Sequence, residues 1–124
     1  MFKKQNLNPK NKKTSDCVIR SFASATGKSW DDTYSDLCDI GFKIKSMPND
    51  KTVYTVYAES LGFEKCKIEL SNGHKPTVKS FADNHPSGIF ILRLAGHLVT
   101  VIDGDYIDSW DCGYKSVYMY WKVA

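Results

Sequence analysis

The hydrophobic period of this chain changes once, near Phe63, and that change restricts the fold more than any other feature. Before it, apolar residues recur at helical spacing; after it, they alternate as in strands. The segment TSDCVIRSFASATG sets Thr14, Ser15 and Asp16 before Val18, Ile19, Phe22 and Ala23 and closes on Gly27, which predicts a capped helix starting at or just before Cys17. Ser29, with acids in the turn that follows, caps a second helix carrying Trp30, Tyr34, Leu37 and Cys38 on one stripe. Asn49 and Asp50 introduce a third, with Val53, Val56, Tyr57 and Leu61 on one face and Gly62 at its end. Beyond Phe63, Cys66, Ile68 and Leu70 alternate against charged neighbours as a half-buried strand. A turn at SNGHKP, a short helix capped by Thr77, and strands over residues 89–94, 97–102, 106–110 and 117–123 complete the chain. Helices first and strands afterwards predict an α+β domain with helices packed on an antiparallel sheet.

A chain of 124 residues with 42% hydrophobic residues can bury one core without a metal or a disulfide framework. The sequence divides into a basic polar arm at residues 1–13, bearing five lysines and no acid, and one domain at residues 14–124. The arm has a single aromatic, Phe2, and no arginine, so nucleic acid is not the expected partner. The N-terminus lacks the apolar run of a signal peptide, and no window is apolar enough to span a membrane, so a cytoplasmic protein is expected. Cys17, Cys38, Cys66 and Cys112 contain no Cys-x-x-Cys pair, which leaves four free thiols and neither metal nor cofactor as the expectation.

Asp103-Gly104 is a strong two-residue hairpin signal. With these residues as the turn, Ile102 faces Asp105, His97 lies opposite Trp110, and His97 shares a face with Asp108. A one-residue slip would move Asp108 to the other face. Diagonal partners stand about 7 Å apart at Cβ, within reach of a carboxylate hydrogen bond to an imidazole. A histidine so held completes a nucleophilic site if a thiol joins it. Cys17 suits that role because free N–H groups at a helix start favour the thiolate. Cys38 falls on the apolar stripe of the second helix and Cys66 on the apolar face of a strand, while Cys112 lies just beyond the hairpin. Asp111 competes with Asp108 but has the opposite parity. Arg20, one turn after Cys17, can bind a substrate carboxylate or pair with Asp16 or Asp111, the ion pair being favoured. His74 and His85 read as solvated loop histidines. Alternation in VYMYWKV reads as sheet packing, with a tyrosine face that a peptide could contact.

At DCVIRSFA, GHLVTVIDG and DSW, in that order, the chain resembles the papain-like cysteine peptidases, including bacteriocin-leader peptidases and small phage or bacterial members. The resemblance implies a minimal papain-like fold and a peptidase or isopeptidase acting on a protein or peptide. Cys17 would be the nucleophile, His97 the proton shuttle and Asp108 the orienting acid, with Trp110 shielding the His-Asp contact. It also implies an oxyanion hole formed by the cysteine N–H and a side-chain amide six residues upstream. Asn11 occupies that position in place of the family's glutamine, with Gln5, Asn8 or Thr14 as alternatives. Val18 replaces the glycine or tryptophan often found after the nucleophile. Deamidation and transglutaminase-like acyl transfer share the thioester, and a non-catalytic binding module with this fold is the competing class.

Overall fold

The computed structural model describes all 124 residues and contains four helices and a six-stranded mixed sheet. In chain order the elements are β1 (Phe2–Lys4), α1 (Cys17–Thr26), α2 (Trp30–Ile44), α3 (Lys51–Ser60), β2 (Glu64–Lys67), α4 (Val78–Asn84), β3 (Ile89–Leu94), β4 (His97–Ile102), β5 (Asp105–Asp108) and β6 (Met119–Lys122). The fold is α+β, and three of the four helices precede all but one strand.

Local chemistry sets the ends of these elements. Gly27, at φ 77°, terminates α1 in the left-handed conformation that a side chain would resist. The Ser29 and Thr77 side chains accept hydrogen bonds from the N–H groups of Asp32 and Ser80 at the starts of α2 and α4. Asp103 and Gly104 both take positive φ, 48° and 84°, giving the turn whose twist matches a two-stranded ribbon. The register follows from that turn: Ile102 pairs with Asp105, Val101 with Tyr106 and Thr100 with Ile107.

The strands run in the order β1-β5-β4-β3-β6-β2, antiparallel throughout except for the parallel pair β1–β5. That pair corrects the expectation of a separate arm at residues 1–13. Phe2 pairs with Tyr106 and stacks against its ring at 5.4 Å, so residues 2–4 cap the sheet edge and belong to the domain.

Alternation along β3 feeds two cores. Ile91 joins Phe22, Leu37, Val53, Tyr57 and Trp121 beneath α1, α2 and α3. Phe90, Leu92 and Leu94 face the other way, onto Val78, Phe81 and Ala82 of α4. Helices thus cover both faces of the sheet, which explains the nearly continuous apolar runs of β3 and β4. Two further expectations shift with the packing. In α3 the buried face is Val53, Tyr54, Tyr57 and Ala58, and Val56 is exposed. Strand β2 ends at Lys67, leaving Leu70 exposed and Cys66 only half-buried at the sheet edge. No helix is long and apolar enough to cross a membrane.

Candidate active site

The first turn of α1, like that of α3, has no side-chain cap on its N–H groups. Asp16 stands at the N-cap, but its side chain makes no capping bond. Its buried carboxylate instead accepts from Arg20 Nε at 2.8 Å, Trp30 Nε1 at 3.0 Å and Asn8 Nδ2 at 3.2 Å. The first backbone bond of the helix runs from Arg20 N to Asp16 O, so the N–H groups of Cys17, Val18 and Ile19 have no partner within the helix. Cys17 opens α1 at this positive end.

His97 opens β4, and its Nε2 meets Asp108 Oδ2 at 2.5 Å. Asp108 ends β5, where the hairpin register gives both residues the same parity. Each oxygen of this buried carboxylate has two donors. Oδ1 accepts from Arg20 Nη1 at 2.8 Å and from Ser109 N at 2.7 Å, and Oδ2 accepts from His97 and from the Cys112 thiol at 3.4 Å. Burial pushes the Asp108 carboxyl up, but the bonds from His97 and Arg20 outweigh it and hold the group below the usual carboxylate range. Burial likewise opposes charge on His97, yet Asp108 and the two neighbouring thiols raise it to about 11.

Nε2 is taken by Asp108, and Cys17 shares the cleft wall with the imidazole. Burial pushes the Cys17 thiol up; the hydrogen bond with His97, another to the Leu98 backbone and the charges of His97 and Arg20 reverse this and lower its pKa. The shifts of Cys17, His97 and Asp108 all run toward the charged forms. Trp110 lies 5.0 Å from the imidazole, ring centre to ring centre, covering one face while remaining 39% exposed itself.

The sequence-based assignments meet different outcomes. Cys17, His97, Asp108 and Trp110 converge. Asp111 faces away, accepting from Tyr106 Oη at 2.6 Å and from its own turn. Asn11 does not reach the site: it is exposed at φ 50°, and its Oδ1 accepts from Asn6 at 3.4 Å. Asn8 is committed to Asp16, and Gln5 is held to Asp108 by its backbone. His85 stacks on Phe81 at 3.8 Å and bonds its carbonyl, so it is a packing residue and not a solvated loop histidine.

A cleft of about 380 Å³ runs beside the triad, walled by Ser15, Cys17, Val18, Tyr54, Arg93 and His97 among others. Three of these were not singled out from the sequence. Ser15 precedes the helix start, whereas Tyr54 and Arg93 come from α3 and β3 and carry no local signal. Burial and the nearby Cys17 charge raise the Tyr54 pKa, so its hydroxyl remains a proton donor.

His97, Asp108 and Cys112 place three possible metal-ligating atoms within 4.8 Å of one another. Burial and the Asp108 charge push the Cys112 thiol up, which makes it a proton donor to the carboxylate and a poor anionic ligand. No family model matches the chain, and no curated protein or solved structure matches it.

Proposed function

We propose that the chain is a papain-like cysteine hydrolase that cleaves an amide of a peptide or protein through a Cys17 thioester. The observation that carries this reading is an imidazole bonded to Asp108 that shares one cleft wall with the Cys17 thiol, at a helix start without a side-chain cap. The thiolate attacks the carbonyl carbon, forming the S–C bond while the C=O π pair moves to oxygen. N–H groups at the start of α1 can receive the oxyanion, together with the Ser15 or Tyr54 hydroxyl in the cleft wall. Collapse breaks the C–N bond, and the leaving amine takes the proton from His97. Water, deprotonated by His97, then attacks the thioester and releases acid and thiolate. An amine in place of water gives transamidation, and a side-chain carboxamide substrate gives deamidation, with the same residues in the same roles.

The deciding experiment needs no substrate. Native protein is treated with limiting iodoacetamide between pH 5 and 9, and the modified cysteine is mapped by mass spectrometry in wild type and His97→Ala. Preferential labelling of Cys17 below pH 7 that disappears in the variant is expected. Labelling of Cys17 that rises only near the ordinary thiol pKa would replace the enzyme with a non-catalytic binding module.

A further inference from the structure

The chain has two arginines, and the structure uses them in opposite ways. Arg20 is saturated, bridging Asp16 and Asp108. Arg93 has no acid within ion-pair distance, and its side chain makes no hydrogen bond to the protein; its Nε is buried with no acceptor in reach. A buried N–H without a partner opposes folding, so a guanidinium left in this state points to an acceptor that arrives from outside.

Its position says where that acceptor would bind. Arg93 pairs with Leu98 in the β3–β4 ladder, one step from the closing pair Leu94–His97 that carries the imidazole. It shares the parity of Ile91, which faces α1–α3, and lines the same cleft as Cys17 and His97. Its guanidinium carbon lies 5.9 Å from the Tyr118 ring centre, a contact that occupies a face of the group and leaves in-plane N–H groups for an anion. The cleft's one acid, Asp50, is already accepting from Met47 N at 3.1 Å. Lys51 adds an exposed positive charge to the wall.

We infer that Arg93 is a specificity residue that binds a carboxylate of the substrate beside the scissile carbonyl. The inference rests on the acyl-transfer reading for what lies next to that carboxylate, but the anion site itself has its own readout. A planar guanidinium can hold a carboxylate through two parallel N–H bonds, whether the group is a peptide C-terminus or an acidic side chain.

Two measurements test it. The first is the ratio of Cys17 alkylation rates with iodoacetate and with iodoacetamide, normalised to the same ratio for glutathione. The wild-type ratio should exceed unity, Arg93→Gln should lower it by about tenfold, and Arg93→Lys should keep part of it. The second follows the Arg93 Nε–H resonance of the wild-type protein during titration with N-acetylglycine, with N-acetylaspartyl amide and with acetamide. A saturable shift with either acid and none with acetamide is expected; the stronger acid identifies a terminal or a side-chain carboxylate. A ratio unchanged by Arg93→Gln, together with no saturable shift, overturns the inference. A Cys17 inert to both reagents in a protein whose Nε–H shift still saturates would overturn the hydrolase and keep the anion site.

Discussion

Cys17 and Cys112 flank one imidazole and differ in almost everything else. Both feel the charge of His97, yet one thiol is lowered and the other raised. Cys17 stands at the start of α1 with Arg20 nearby and a cleft before it; Cys112 is fully buried in the core beneath α4, with its thiol on the Asp108 carboxylate. A neighbouring histidine therefore does not by itself make a nucleophile. On the proposed reading, the sign of the remaining field and an open cleft separate the two thiols.

The largest expected effect is on the Cys17 side. Cys17→Ala should lower turnover of an activated ester by about 10⁴-fold or more while the melting temperature changes little. Asp108→Asn comes next: it removes the acid that orients His97, for a loss of about 10³–10⁴-fold in kcat. It also leaves Arg20 with one acid, at about 3 kcal/mol of stability, read by urea titration.

The pH dependence of stability should separate the two partners of the central bond. The folded protein binds the His97 proton more tightly than the unfolded chain, whose imidazole titrates near the ordinary 6.5. That contribution is fully present below pH 6.5 and is lost as pH rises toward about 11. Asp108 is lowered in the folded state, so its contribution is present above its ordinary 3.8 and is lost as pH falls through the folded value. The gap in melting temperature between wild type and His97→Gln should be widest near pH 4–6.5 and narrow by pH 10; a gap that widens at alkaline pH would contradict the ion pair.

The remaining effects are small. Trp110→Ala should reduce kcat by roughly tenfold or less, because the shield is itself partly open to water. Cys112→Ala should change kcat by no more than about twofold and cost about 1–2 kcal/mol for the void it leaves. An activity loss matching that of Cys17→Ala would dissolve the contrast between the thiols.

Much of the site was legible because its elements have local causes. Asp103-Gly104 specifies the register that sets His97 and Asp108 on one face, and Gly27 with the polar run before Cys17 brackets α1. The arm at residues 1–13 was misread because a three-residue parallel strand has no turn or period of its own; its pairing with β5 exists only once the sheet is assembled. Asn11 matched a position in a motif, but its left-handed backbone and the bond to Asn6 send the amide elsewhere. His85 looked solvated beside Pro86, and only the packing of α4 on β3 and β6 buries one of its faces.

The sequence by itself determined the α+β class, the hairpin register and a cysteine at a helix start, because capping, turn conformation and side-chain period act over a few residues. The tertiary structure decided the rest. It joined Arg20 to an acid 88 positions away, set helices on both faces of the sheet, and brought Tyr54 and Arg93 to the wall beside Cys17. Such contacts depend on which strands lie side by side and which faces pack together, quantities no local spacing encodes.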